Sequence, residues 1–201
     1  MRNNALIVID VQQDFCPNGA LAVAGGDEVV APINNLIAAS GHVILTQDWH
    51  PEGHSSFASQ HEGRAVMEQI DVDYGPQTLW PDHCVQGSSG AEFHPDLNWT
   101  TAELILRKGF RPHIDSYSAF MENDQSTPTG LAGYLRERGI TDLTMVGLAT
   151  DFCVGFSALD AARLGFNCTV DLSACRAIDV AGSLDASLNQ MRAAGVTLIG
   201  A

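Results

Sequence analysis

The sequence predicts an α/β fold: a three-layer α/β/α domain built on a mainly parallel sheet. Short, continuous apolar runs, as expected of strands buried on both faces, alternate with stretches of helical periodicity. Several helical stretches stop at a glycine, the residue best able to take the left-handed turn that ends a helix. The 201 residues carry no repeat, low-complexity tract or linker, so one domain over residues 1–201 is expected.

The elements follow in order. Ala5–Ile9 reads as the first buried strand. Asp27 is placed to cap a helix running to about Ala39, with Val29, Val30, Ile33, Leu36 and Ile37 on one face and Gly41 as its stop. His42–Thr46 and Leu104–Leu106 read as the second and third strands. A helix over Leu131–Arg138 stops at Gly139, and Leu143–Leu148 is the fourth strand. A helix from about Asp151 to Leu164 stops at Gly165 and leads to a fifth strand, Cys168–Leu172. Leu184–Ala194 reads as a helix ending at Gly195, and Val196–Ile199 as the last short strand. From Pro51 to about Thr101 the rhythm breaks. Ala65–Ile70 reads there as a helical turn or two, within a segment rich in His, Gly, Pro and Asp. Long irregular segments inside compact domains are functional loops or disordered. Trp80, Cys84, Phe93 and Trp99 are costly to expose, which favours a packed loop.

Composition narrows the class. With 10 Lys+Arg against 24 Asp+Glu, the net charge of −14 repels phosphate backbones and anionic lipid, so neither nucleic acid nor membrane is an expected partner. Ala5–Ile9 is too short for a signal peptide or a membrane span. Cys16, Cys84, Cys153, Cys168 and Cys175 are odd in number and lack C-x-x-C spacing, which points to free thiols in the reducing cytoplasm.

Ligands of an open parallel sheet bind beyond the carboxyl ends of its strands. There the sequence offers Asp10 after the first strand and Asp48, Trp49 and His50 after the second. Arg107 and Lys108 follow the third, and Ala149, Thr150, Asp151 and Cys153 the fourth. Cys153 falls in the first turn of a helix, where free N–H groups and the dipole favour a thiolate and offer donors to an oxyanion. Asp10 and Lys108 suit the roles of base and cation. Each also has a plainer reading: a buried free thiol is more often a small hydrophobe, Asp10 a capping carboxylate, Lys108 a surface amine. Asp48 and His50 share one side of an extended strand end, His54 follows across a Pro-Gly turn, and His83 sits in Trp80-Pro-Asp-His-Cys84. An Asp with two or three His suits a divalent transition metal with positions left open; loop histidines on an acidic surface fit the same pattern. Phe15, Trp80 and Tyr117 could stack on a flat ligand or simply anchor loops.

Taken together, these residues resemble the nicotinamidase branch of the isochorismatase-like cysteine hydrolases. The similarity covers nearly the whole chain. It runs through Ala5-Leu-Ile-Val-Ile-Asp-Val-Gln-Gln-Asp-Phe15, Thr46-Gln-Asp-Trp-His-Pro51, Trp80-Pro-Asp-His-Cys-Val85, Arg107-Lys-Gly109, Asp115-Ser-Tyr-Ser-Ala-Phe120 and Val146-Gly-Leu-Ala-Thr-Asp-Phe-Cys-Val154. The resemblance implies a six-stranded, mainly parallel sheet and a catalytic triad of Asp10, Lys108 and Cys153. It implies one divalent transition metal, zinc with iron or manganese as alternatives, on Asp48, His50 and His83. His54 takes the place of a further histidine found in some members, and the metal-binding loop region is expected over about 48–101. It implies a cis peptide between Leu148 and Ala149, with the Ala149 and Cys153 N–H groups as the oxyanion hole. Phe15, Trp80, Tyr117 and Leu148 would contact the substrate. Phe152 stands where some relatives carry Tyr or His. The implied reaction is hydrolysis of nicotinamide to nicotinic acid and ammonia through a cysteine thioester, with pyrazinamide also accepted, in a monomer or homo-oligomer. The alternatives are another small-amide hydrolase of the same family, or a non-catalytic protein that binds metal or nicotinamide.

Overall fold

Five consecutive apolar residues with no room for water on either side make the central strand β1, Asn4–Ile9. The structure, a computed structural model, describes residues 3–200; Met1, Arg2 and Ala201, the ends of the expected domain, lie outside them. After β1 come α1 (Val30–Ala39), β2 (Val43–Asp48), β3 (Gln69–Val72), β4 (Gly75–Thr78) and β5 (Leu104–Lys108). Then follow α2 (Leu131–Glu137), β6 (Asp142–Leu148), α3 (Gly155–Arg163), β7 (Asn167–Arg176), α4 (Ser183–Ala193) and β8 (Thr197–Ile199).

Six strands form one sheet in the order β5-β2-β1-β6-β7-β8, every neighbouring pair parallel. The order runs leftward from β1 through β2 to β5 and rightward from β6 to β8. Right-handed crossovers in opposite directions put α1 on one face and α3 and α4 on the other. The core is the sheet's own aliphatic surface: Ile7, Ile9, Ile44, Leu45 and Val146 meet Ile33 of α1 and Leu135 of α2 within one buried cluster. The switch in direction between β1 and β6 opens a crevice at their carboxyl ends. No helix among the described residues is long and apolar enough to cross a membrane.

Several sequence expectations shift. Asp27 does not cap α1: it lies in the first turn of a 3₁₀ segment, Gly26–Val29, that feeds the helix, and no side chain caps either. Extended Ser40, not Gly41, ends α1, and its hydroxyl donates to the Leu36 carbonyl at 2.8 Å. Ala65–Ile70 is not helical. Met67 turns at φ 69°, and Gln69 and Ile70 pair with Gln77 and Thr78 in the antiparallel β3–β4 hairpin. β2 and β5 each run further than expected, because Gln47 and Asp48 pair with Arg107 and Lys108. The helix after β6 opens as a wide turn, Thr150–Val154, before α3 begins at Gly155. Gly139, Gly165 and Gly195 take the left-handed conformation after α2, α3 and α4, as the sequence suggested.

Candidate active site

Asp10 leaves β1 at φ 49°, a conformation that swings its carboxyl group under the crevice, where it is fully buried. Thr46 of β2 donates its hydroxyl to Asp10 Oδ1 at 2.6 Å and accepts the Asp10 N–H at 3.2 Å. Lys108, at the end of β5, brings Nζ to 2.8 Å from Asp10 Oδ2. That contact is an ion pair bent away from hydrogen-bond geometry, which leaves Oδ2 without a hydrogen-bond partner. The same ammonium donates to the Ser116 carbonyl at 2.9 Å and to Asp48 Oδ1, and lies 3.4 Å from Cys153 Sγ. Carboxylate oxygens of Asp10 and Asp48 and Cys153 Sγ all fall within 4.8 Å of one another.

This arrangement sets the charge states. Burial lifts the Asp10 carboxyl to about 6; Lys108 pulls it down, Asp48 pushes it up, and burial prevails. Burial also pushes the Cys153 thiol well above its ordinary range, with Lys108 opposing. The helix start expected from the sequence favours a thiolate at Cys153, and burial works against it. Burial opposes a proton on Lys108, but Asp10 and Asp48 hold it firmly charged.

A second constellation adjoins the first. Asp48, His50 and His83 present ligand atoms within 4.8 Å of one another, all buried. His50 Nδ1 donates to the Gly109 carbonyl at 2.9 Å, and His83 Nδ1 to the Pro81 carbonyl at 2.8 Å. Both bonds leave Nε2 facing Asp48 Oδ2, at 3.8 and 3.9 Å. Gly109 must be glycine: at φ 66° an added Cβ would sit 2.4 Å from His50 Cε1. Burial works to raise Asp48, but Lys108 and His50 outweigh it and hold the carboxylate ionised. Burial and the neighbouring His50 take His83 down to about 4, so its Nε2 lone pair is free. One carboxylate and two oriented imidazoles fit a divalent transition metal.

His54 stands apart from this set. The Ser56 N–H donates to its Nδ1 at 3.2 Å, so the proton sits on Nε2, which faces the Ile114 carbonyl at 3.4 Å. It stacks on His50, ring centroids 4.5 Å apart, and shares a neighbourhood with buried Asp115.

The crevice between the constellations is a small, narrow cavity. Phe15, Trp80, Tyr117 and Phe152 line it, with Asp48, His50, His83, Asp115, Ala149 and Cys153. Trp80 donates its indole N–H to the Tyr117 hydroxyl at 3.0 Å and meets Phe152 edge-on at 4.8 Å. Leu148 packs into the core, the Leu148–Ala149 peptide is cis, and Ala149 faces the cavity.

Sequence reasoning missed Asp115 and Asp151. Asp115 accepts the Ser116 N–H at 2.8 Å and the Gln77 amide at 2.9 Å at the cavity wall. Asp151 accepts the Ile178 and Asp179 N–H groups at 3.0 and 2.8 Å and so carries Ile178 into the lining. Both stand in stretches that attracted notice, but an isolated Asp carries no signal of what it will cap.

Residues 4–201 match the model of the isochorismatase domain family. The chain is 55% identical to a nicotinamidase of Acinetobacter baylyi over 98% of its own length and 92% of that protein's. Among solved structures, a nicotinamidase and pyrazinamidase of Acinetobacter baumanii superposes with a TM-score of 0.98 at 55% identity, covering 99% of this chain and 96% of that one. A pyrazinamidase of Pyrococcus horikoshii in complex with zinc superposes with a TM-score of 0.78 at 33% identity, covering 98% of each chain.

Proposed function

The chain belongs to the isochorismatase domain family, and from that membership and the geometry of the crevice we propose that it hydrolyses nicotinamide to nicotinic acid and ammonia. The observation that carries the reading is the position of Lys108 Nζ, 2.8 Å from Asp10 and 3.4 Å from Cys153, at the cavity lined by Phe15 and Trp80. Identity to nicotinamidases across nearly the whole chain supports the substrate, and the pyrazinamidase relatives support pyrazinamide as a second one.

Asp10 takes the proton of the Cys153 thiol, and the thiolate attacks the carboxamide carbon. The Ala149 and Cys153 N–H groups face the developing oxyanion. Asp10 returns the proton to the departing nitrogen as the C–N bond breaks, and ammonia leaves a Cys153 thioester. Water then attacks the thioester, its proton passing to Asp10, which restores the thiol. Lys108 stays charged throughout and holds both groups in register. Phe15 and Trp80 flank the ring, with Tyr117 tied to Trp80. Asp48, His50 and His83 would hold the metal, zinc in our reading, which when bound supplies a Lewis-acid contact for the ring nitrogen. His54 is assigned to orienting His50.

The free state of all five cysteines supports a cytoplasmic setting, and one domain with its metal loop at about 48–101 accounts for the fold. Ammonia release from nicotinamide by zinc-loaded protein tests the reading, with Cys153→Ala as control. Release that disappears in the variant is the expected result; equal turnover in both would remove the covalent scheme.

A further inference from the structure

Gln12 is fully buried beside the crevice and has no part in the chemistry above. β1 and β2 pair in register through Val8 and Leu45. At Asp10 the chain turns away, and Gln12 N–H bonds back to the Asp10 carbonyl at 2.8 Å. β2 continues through Asp48. Its far side stays paired with β5, where the Trp49 N–H meets the Lys108 carbonyl at 2.9 Å. The Asp48 N–H and C=O point the other way, toward the strand that has left. Buried backbone groups in that position require partners.

The Gln12 side chain supplies them. Its Oε1 accepts the Asp48 N–H at 2.8 Å, and its Nε2 donates to the Asp48 carbonyl at 2.8 Å and to the Ala91 carbonyl at 2.9 Å. One amide thus stands in for a missing strand residue and uses its acceptor and both donors. Flipping the amide would set NH₂ against N–H and oxygen against two carbonyls, so one orientation alone works. Glutamate would repel both carbonyls; methionine would leave the Asp48 N–H and carbonyl unpaired, while the Ala91 carbonyl would keep its bond from the Gln47 amide at 2.9 Å.

We infer that Gln12 is a positioning residue for metal binding: it pre-sets the backbone of Asp48 and, two residues on, His50, and ties that strand end to the Ala91 loop. The inference rests on the metal reading above. Outer groups that orient ligands typically change metal affinity by about 10–100-fold.

The test titrates zinc into chelator-stripped protein against a chromophoric chelator, for wild type, Gln12→Glu and Ile33→Ala. Ile33 is buried in α1, so its variant reports general destabilisation. The zinc dissociation constant is expected to rise by about 10–100-fold in Gln12→Glu and to stay at the wild-type value in Ile33→Ala. Equal affinity in Gln12→Glu and wild type overturns the inference, as does an equal loss in both variants. A wild type that takes no zinc removes the metal reading itself, a different result from equal affinities. Gln12→Met replaces Gln12→Glu if the latter does not fold. Hydrogen exchange on stripped wild type gives an answer without any variant. An Asp48 amide already protected supports the inference; an Asp48 amide that exchanges freely until zinc is added overturns it.

Discussion

Lys108 Nζ lies 3.4 Å from Cys153 Sγ, with the lysine fully buried and the cysteine at the cavity wall. The ammonium carries two buried carboxylates at once, Asp10 and Asp48. Lys108 therefore links the thiol chemistry to the metal ligands, and each charge in the pocket depends on it.

Replacing Lys108 by Met should strip both carboxylates of their counter-ion. Removing one partner of a buried ion pair costs about 3–5 kcal/mol. Urea unfolding of Lys108→Met should show a loss of that size at neutral pH, with ammonia release abolished. A midpoint unchanged from wild type would mean that Asp10 and Asp48 do not rely on this cation.

The pH profile should carry the signature of Asp10. Burial raises its carboxyl to about 6, and the group accepts the thiol proton only when ionised. As pH falls through about 6, Asp10 gains a proton and kcat/KM should fall with it, tenfold per pH unit on the acid side. Above that value Asp10 is ionised and the acid limb should level. A profile flat down to pH 4.5 would exclude Asp10 as the base.

Most of the fold is legible in the sequence because its signals are local. Ala5–Ile9 and Leu143–Leu148 are apolar runs, and Gly139, Gly165 and Gly195 mark helix ends by their own conformation. The hairpin at Gln69–Thr78 is hidden: its strands are polar and half exposed, so neither shows a clear period. The burial of Cys153 is hidden for another reason. A helix start is visible in sequence, but the depth of burial that opposes a thiolate there is a property of the assembled crevice. Gln12 and Asp151 act through backbone groups far along the chain, Asp48 and Ile178, and no spacing rule anticipates such bonds.

His83 and His54 should separate in their effect on metal. His83 offers a free Nε2 toward Asp48, whereas both nitrogens of His54 already have partners. Metal content after dialysis, read by plasma mass spectrometry, should collapse in His83→Ala, with affinity down by more than about 100-fold. His54→Gln should keep a full equivalent of zinc, since its amide oxygen can still accept the Ser56 N–H. Loss of the metal in His54→Gln would make His54 a ligand and require its ring to turn.

Asp151 should govern substrate affinity without touching substrate. Its carboxylate receives the Ile178 and Asp179 N–H groups and the Ser183 hydroxyl, closing the loop before α4 against the turn that carries Cys153. Asp179 and Ala181 in that loop hold φ near +55 and +52°, conformations that nonglycine residues keep only when tied down. Hydrogen bonds to a charged acceptor contribute about 1.5–3 kcal/mol each. Asp151→Ala should therefore loosen residues 177–183, seen as faster hydrogen exchange confined to that loop. Ile178 would then leave the cavity wall part of the time. KM for nicotinamide should rise by about tenfold, the effect of about 1.4 kcal/mol, with kcat reduced less, because the Lys108–Cys153–Asp10 contacts do not pass through the loop. An unchanged KM alongside a loop that exchanges freely would show that Ile178 contributes nothing to holding the ring.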